Sequence, residues 1–182
     1  MISCKKLNLE GALLFNLESH FDDRGSFSEV FNLRSISEFL PKGINFVQDN
    51  ESVSSYGVLR GLHFQNEPYS QSKLIRVSKG CIVDVMVDIR PNSQTFGRHL
   101  KIELSKENNN LLFIPKGFAH GFMCLSKNCT VNYKCSKYRE TNSEVTLNWS
   151  DKNINIKWPI NNPILSNKDK NGLDLKAFTN IR

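Results

Sequence analysis

Three polar side chains interrupt an otherwise apolar, strand-like stretch in the first half of the chain. Arg60 and His63 lie within the sequence GVLRGLHFQ, and Lys73 follows ten residues after the histidine. An arginine suits a phosphate group, a histidine accepts a proton near neutral pH, and a lysine stabilises a developing oxyanion. These residue types together are suited to removing a proton next to a carbonyl group in a phosphate-bearing substrate.

Short strands must position these groups, because most of the chain alternates apolar and polar residues between clusters of Gly, Pro, Asn and Ser. The clearest pair is 73–77 and 81–89; in the second strand, one face is apolar and the other carries Asp84 and Asp88. Such a mixed face is expected to line a partly polar cavity or a barrel interior. Further strands are predicted at 11–17, 26–31, 46–48, 58–65, 99–104, 111–114, 121–125, 130–135 and 145–149. The pattern favours an all-β, antiparallel jelly roll with a few short helices.

Helical segments are scarce. The best candidate is 35–40, where Ser35 and Glu38 form a potential capping box and Pro41 would end the turn. A second short helix is predicted near 173–178, in an otherwise loop-like tail. We find no internal repeat or linker, and therefore expect one domain over residues 1–182.

Composition excludes several classes of protein. The 182 residues are 39% hydrophobic and 23% charged, which is typical of a globular protein. No apolar run approaches the roughly 18 residues that a membrane span requires, and the amino terminus lacks a secretory signal. We therefore predict a cytoplasmic protein that does not contact a membrane.

Cysteine spacing and charge narrow the classes further. The five cysteines are an odd number without the paired spacing of a zinc site, so we predict reduced thiols and no metal. The net charge of +6 raises nucleic-acid binding as an option. However, the Lys and Arg residues are dispersed along the chain, and no basic arm collects them, so no nucleic-acid partner is predicted.

Eight short motifs follow one another in an order that is far more specific than any one of them. They are DRGSFSE at 23–29, QDNES at 48–52, GVLRGLHFQ at 57–65, DIR at 88–90, TFG at 95–97, IPKGFAHGF at 114–122, YKC at 133–135 and IKWP at 156–159. In this order they closely resemble the dTDP-4-dehydrorhamnose 3,5-epimerase family. The resemblance implies a cupin-type jelly roll, usually a homodimer, that acts on dTDP-4-dehydro-6-deoxy-D-glucose without a metal or an organic cofactor.

The chemistry of such an epimerase follows from its substrate. The 4-keto group acidifies the protons on C3 and C5, so a base can remove one and an acid can return a proton to the opposite face. His63 is the predicted base. The resemblance implies Asp169 as the carboxylate that orients His63, Tyr133 as the general acid and Lys73 as the donor to the enolate oxygen.

Substrate binding is assigned on the same basis. Arg24 and Arg60 suit the diphosphate, because a guanidinium group matches phosphate oxygens in bidentate fashion. The family often has two adjacent tyrosines, one of which can stack on thymine. Here Tyr138 is followed by Arg139, so either of them takes that role or the base is recognised differently. The remaining predicted contacts to nucleotide or sugar are Glu29, Gln48, Asp49, Asn50, His120, Glu144 and Lys168.

The spacing of Arg60 and His63 poses a structural problem. Residues three positions apart point to opposite faces of a regular strand, so both could not face one ligand. We predict that Gly61 marks a bulge that re-aims one of them. Alternatively, Arg60 reaches the ligand by its length or from the end of the strand.

Two other functions remain open at this point. One is an epimerase that inverts only C3, or one that acts on another nucleotide-linked 4-keto sugar. The other belongs to a different class, a metal cupin or a non-catalytic sugar-binding module. A metal cupin usually carries an HxH pair, whereas the sequence LHFQ at 62–65 has one histidine where two should stand.

Overall fold

The structure is a computed structural model that describes residues 3–180. Strands dominate it, and the predicted antiparallel jelly roll is confirmed. The strands are β1 Ser3–Lys6, β2 Leu13–Asn16, β3 His20–Asp22, β4 Gly25–Phe27, β5 Gln48–Ser55, β6 Leu59–Gln65, β7 Lys73–Lys79, β8 Cys81–Asp88, β9 His99–Ser105, β10 Asn110–Ile114, β11 Phe118–Cys124, β12 Asn128–Cys135 and β13 Glu144–Thr146. The helices are α1 Leu33–Ile36, α2 Asn167–Lys170 and α3 Leu175–Asn180, with a 3₁₀ turn at Thr141–Ser143.

Two antiparallel sheets face each other. One has six strands in the order β1-β2-β10-β7-β12-β5, and the other has five in the order β13-β6-β11-β8-β9. Strands β3 and β4 form a separate hairpin. Because β6 and β7 lie in different sheets, His63 and Lys73 approach the space between the sheets from opposite sides.

The space between the sheets is an apolar core at one end. Ile75 of β7 and Val131 of β12 pack there against Met86 of β8 and Phe122 of β11. The alternation in β8 explains the arrangement, because the face of that strand that carries Met86 also carries Asp84. The mixed face of this strand was predicted to line an interior, and it does.

The outer face of the five-stranded sheet is also covered. Val83, Val85 and Val87 of β8 form the opposite apolar face, and they pack against the carboxyl-terminal segment through residues such as Trp158 and Phe178. Each Å² of apolar surface removed from water stabilises the fold by about 25 cal/mol, so this contact contributes substantially to stability. It also holds the late part of the chain, including α2, against the five-stranded sheet.

The helix predicted at 35–40 is displaced and its predicted cap is wrong. Helix α1 begins at Leu33, and the side chain of Asn32 accepts hydrogen bonds from the main-chain N–H groups of Arg34 and Ser35. Asn is as good an N-cap as Ser, and its position three residues earlier decided where the helix starts.

The helix near 173–178 is confirmed as α3. Within residues 3–180, none of the helices is long and apolar enough to cross a membrane.

Strand β5 is the largest departure from the predicted elements. The prediction placed a strand at 46–48, whereas β5 runs from Gln48 to Ser55. Its sequence QDNESVSS is polar and has low strand propensity, so pattern analysis missed it. Pairing with β12 along eight residues forms the strand nevertheless. Two other predicted strands are shorter in the structure. The strand predicted at 26–31 is β4, Gly25–Phe27, and the strand predicted at 145–149 is β13, Glu144–Thr146.

Candidate active site

A bulge in β6 at Gly61 resolves the spacing problem between Arg60 and His63. His63 lies opposite His120 of β11 and Arg60 opposite Phe122, so three steps on β6 match two on β11. Gly61 has φ +134°, and a Cβ there would lie 2.5 Å from the Cα of Gly121. Only glycine fits this close approach, which confirms the predicted bulge.

The bulge turns Arg60 toward the facing sheet. Leu59 and Leu62 are also three residues apart, yet both pack in the apolar cluster between the five-stranded sheet and the carboxyl-terminal segment. The extra residue of a bulge places them on the same face. Arg60 Nε donates to Ser54 Oγ at 3.0 Å, and Nη2 donates to the carbonyl of Val53 at 3.1 Å. The guanidinium group is thereby fixed against β5 and retains further N–H groups that could bind an anion.

His63 forms a close pair with Asp169 from α2. His63 Nε2 and Asp169 Oδ1 are 2.5 Å apart, although the residues are 106 positions apart in sequence. Ser166 caps α2 by accepting from the Asp169 N–H at 3.1 Å, and its hydroxyl donates to Asp169 Oδ2 at 2.8 Å. This four-residue helix was not predicted, and its role here is to hold the carboxylate in place.

The carboxylate of Asp169 fixes the tautomer of His63. Burial of Asp169 disfavours its ionised form, but hydrogen bonds from His63, Ser166 and the Gly61 main chain outweigh burial and lower the pKa of the carboxyl group. An ionised Asp169 accepts the Nε2–H of a neutral imidazole. The lone pair then lies on Nδ1, which is the atom able to take a proton from a substrate.

Lys73 and Tyr133 face His63 from the six-stranded sheet. Lys73 Nζ donates to the main-chain oxygen of His63 at 3.4 Å, and burial lowers the pKa of the ammonium group. Burial raises the pKa of Tyr133, and Cys135 adds to the effect, while Arg60 and Arg139 oppose it. The phenol therefore stays protonated across the neutral range, as a proton donor must.

These groups line one cavity of about 370 Å³. Its lining includes His63, Phe64 and Gln65 of β6, Gln48 and Asn50 of β5, Gln71, Lys73, Tyr133, Cys135, Arg139, Glu144 and Lys168. Two larger clefts, of about 480 and 420 Å³, contain none of the predicted catalytic residues. The smaller cavity is therefore the candidate active site.

Three charged side chains form what we call the rim of the cavity: Arg139, Glu144 and Lys168. Arg139 donates to both oxygens of Glu144, at 2.7 and 3.1 Å, and Lys168 Nζ donates to Glu144 Oε2 at 2.7 Å. The bond from Arg139 is the largest cause of a Glu144 pKa of about 2, with burial opposing and Lys168 assisting. Tyr138 is 70% exposed and does not line the cavity.

Six of the predicted binding residues do not line the cavity: Arg24, Glu29, Asp49, Arg60, His120 and Tyr138. Asp49 points to the opposite face of β5 from Gln48 and Asn50, and it pairs with Lys134 there. Arg24 pairs with Asp22 in the exposed β3–β4 hairpin, and the exposed Glu29 follows it. Their predicted contacts to substrate remain predictions.

The cavity also contains side chains that pattern analysis did not select. Gln65 and Cys135 line it, and both directly neighbour selected motifs: Gln65 ends GVLRGLHFQ and Cys135 ends YKC. Strand alternation indicates both, because Gln65 is two residues beyond His63 and Cys135 two beyond Tyr133.

A second histidine–aspartate pair lies deeper between the sheets. His120 Nε2 and Asp84 Oδ2 are 2.8 Å apart, and both side chains are buried. Burial lowers the pKa of His120 more than Asp84 raises it. Among residues 3–180, no group of three or more His, Cys, Asp and Glu side chains could hold a metal ion.

Comparisons with known proteins agree with this geometry. Residues 6–177 match the family model described as dTDP-4-dehydrorhamnose 3,5-epimerase. A Shigella flexneri protein of that name is 47% identical over 167 residues, which cover 92% of each chain. The crystal structure of dTDP-6-deoxy-D-glucose-3,5-epimerase from Legionella pneumophila Philadelphia 1 in complex with dTDP-4-keto-L-rhamnose matches with a TM-score of 0.93 and 38% identity, covering 97% of this chain and 94% of that chain.

A related enzyme with narrower chemistry has a similar fold. The structure of a 3'-monoepimerase from Streptomyces bikiniensis in complex with dTDP-quinovose matches with a TM-score of 0.90 and 31% identity, covering 96% of this chain and 89% of that chain. The fold alone is therefore compatible with inversion at one carbon or at two. The family match over residues 6–177 and the identity to full-length relatives show that this chain belongs to the dTDP-4-dehydrorhamnose 3,5-epimerase family.

Proposed function

We propose that the protein inverts C3 and C5 of dTDP-4-dehydro-6-deoxy-D-glucose to give dTDP-4-dehydro-L-rhamnose, a precursor for surface polysaccharide. One observation carries the proposal: the His63–Asp169 pair faces Tyr133 and Lys73 across a single cavity. A base on one sheet and a protonated acid on the other are what inversion of a carbon centre requires.

The reaction proceeds through an enolate at each centre. His63 Nδ1 removes the proton, the C–H electron pair moves to form the C=C bond, and the C4 oxygen becomes an oxyanion. Lys73 donates a hydrogen bond to that oxygen, which lowers the barrier to its formation. Tyr133 then delivers its proton to the opposite face of the carbon, and solvent restores the protonation states of Tyr133 and His63.

Binding of the nucleotide would use the charged groups around the cavity. We propose that Arg60 binds the diphosphate and that Gln48, Asn50, His120 and the rim contact the sugar or the base. We also propose that Tyr138, Asp49, Arg24 and Glu29 contact the substrate, on the basis of the family resemblance alone.

We further propose that the protein is a cytoplasmic homodimer. The β3–β4 hairpin, which carries Arg24, exposes Phe21 and Phe27 by 79% and 71%. Exposed aromatic side chains close together often mark a protein–protein interface. All five cysteines are free thiols, which a reducing compartment such as the cytoplasm would maintain. Light scattering on Phe21→Ser and Phe27→Ser variants should detect dissociation to monomers.

Deuterium incorporation tests the activity. The purified protein is incubated in D₂O with dTDP-4-dehydro-6-deoxy-D-glucose, and the sugar is followed by NMR. We expect deuterium at both C3 and C5 and a product with the L-rhamno-type configuration. Deuterium at C3 alone would indicate the C3-only epimerase instead, and no incorporation at either carbon would contradict the proposed function.

A further inference from the structure

The second histidine–aspartate pair contains a carboxylate that is not fully satisfied. Asp84 is completely buried on β8, and one of its oxygens, Oδ2, bonds His120 Nε2 at 2.8 Å. The other oxygen, Oδ1, has no hydrogen-bond partner among the residues that the structure describes. A buried carboxylate is costly to ionise unless a nearby positive charge compensates it.

His120 does not supply that positive charge near pH 7. Burial is the largest influence on its pKa and lowers it, while Asp84 acts in the opposite direction and Lys73 and His63 lower the pKa further. The imidazole is therefore neutral and donates its Nε2–H to Asp84 without neutralising it. The compensating cation must come from a different element.

Lys73 is the cation within reach of this pair. Its Nζ contacts the main-chain oxygen of His63 at 3.4 Å, and His63 lies directly opposite His120 in the pairing of β6 with β11. The residues Asp84, His120, His63 and Lys73 thus follow one another from β8 across β11 and β6 to β7, through one side-chain bond, one strand pairing and one bond to the main chain. The negative charge of Asp84 raises the pKa of the Lys73 ammonium group across these strands.

Four titratable groups on four different elements influence Lys73. Burial is the dominant influence and lowers its pKa; Cys135 of β12, Asp84 of β8 and Glu144 of β13 raise it, and Lys168 of α2 lowers it. Glu144 already bonds both Arg139 and Lys168 at the rim. Cys135 is itself a thiol whose burial raises its pKa, so it is uncharged near pH 7. Of these anions, Asp84 is the one with an oxygen that has no hydrogen-bond partner within residues 3–180.

We propose that Asp84 is a positioning residue that acts through Lys73, its carboxylate being the counter-charge that keeps the ammonium group protonated in the desolvated cavity. The proposal rests on the function given above, in which Lys73 must be a cation when the enolate oxygen forms. It assigns to the deep pair an electrostatic role that is different from proton abstraction.

The variant Asp84→Asn tests the proposal by activity. Asn has the same shape and its oxygen still accepts from His120, but it carries no charge. The active, protonated form of Lys73 is lost as pH rises through its pKa, and removing the nearby anion lowers that pKa. The alkaline limb of kcat should therefore move to lower pH by about one unit. Asp84→Ser, also neutral and smaller, provides the same test should Asp84→Asn not fold.

His120→Gln is the matched control. The glutamine amide can still donate to Asp84 and the carboxylate stays in place, so the alkaline limb of kcat should keep its position whatever the size of kcat. An unmoved limb in folded Asp84→Asn would overturn the proposal. An equal displacement in both variants would overturn it as well, because the effect would then pass through His120 rather than through charge.

A titration that does not need substrate separates this proposal from the proposed function. Lysine side chains labelled with ¹³C at Cε are followed by NMR against pH, and the Lys73 resonance is assigned by its absence in Lys73→Met. The resonance should titrate at lower pH in Asp84→Asn than in the wild-type protein. If the titration point is the same in both, the proposal is wrong whether or not the protein epimerises the sugar; if wild type shows no deuterium exchange but this shift occurs, only the proposed function fails.

Discussion

The protein contains two histidine–aspartate pairs with almost the same hydrogen-bond chemistry and very different surroundings. The side chain of His63 is 36% exposed and faces the cavity, whereas that of His120 is 8% exposed and lies between the sheets. In both pairs Nε2 bonds a buried carboxylate. The comparison teaches that access to substrate, and not the pairing itself, separates a base from a group that organises charge.

The two aspartates also reach their histidines by different routes. Asp84 comes from a strand that pairs directly with the strand of His120. Asp169 comes from α2, a short helix that the carboxyl-terminal segment carries back to the five-stranded sheet. The deep pair therefore depends on the sheet itself, and the cavity pair depends on a separate docked segment.

Replacing His63 should have the largest effect on activity. His63→Ala removes the base, so kcat for deuterium exchange should fall by about 10⁴-fold. Asp169 keeps its hydrogen bonds from Ser166 and the Gly61 main chain, so the free energy of unfolding should fall much less than it does when His120 is replaced. A urea-unfolding curve and an exchange assay on the same sample measure both. Exchange near the wild-type rate would contradict the assignment of the base.

Replacing His120 should reverse that pattern. His120→Ala leaves Asp84 buried without its hydrogen-bond donor, and we expect the free energy of unfolding to fall by about 3 kcal/mol. The measurement is urea unfolding of the His120→Ala and His63→Ala proteins under the same conditions. Equal stability of the two variants would remove the distinction between the pairs.

Replacing Asp169 should have an intermediate effect. In Asp169→Asn the amide no longer fixes the neutral imidazole with its lone pair on Nδ1, so kcat should fall by about 10²-fold. Ser166→Ala, which removes the cap of α2 but keeps the carboxylate, is the matched control and should lose much less. A greater loss in Ser166→Ala than in Asp169→Asn would indicate that docking of the helix matters more than the charge.

The rim should give the smallest effect, because its side chains do not move a proton in the proposed reaction. Arg139→Leu removes an exposed cation whose ion pair is worth well under about 1 kcal/mol, so KM should rise only a few-fold while kcat is unchanged. Lys137→Leu removes an exposed cation outside the cavity and should leave both constants at wild-type values. A fall in kcat for Arg139→Leu would place the rim in the catalytic step.

The sequence predicted the sheet-borne part of the site better than the part carried by irregular segments. The bulge at Gly61 followed from strand alternation, which fixes which side chains share a face. Strand β5 was misplaced because its polar sequence becomes a strand only through pairing with β12. Helix α2 was missed because four residues are too few to show a helical period. That Asp84 has an unpartnered oxygen depends on packing in three dimensions, which no local pattern records.

The most direct test of the central claim, that a base on one sheet and an acid on the other act on the same carbon, is exchange in Tyr133→Phe. The variant keeps His63, Asp169 and Lys73, so the enolate still forms and His63 can return a deuteron to the face from which it took the proton. In D₂O the sugar should gain deuterium while its configuration at C5 is retained, by NMR. Inversion at C5 at the wild-type rate in this variant would contradict the account.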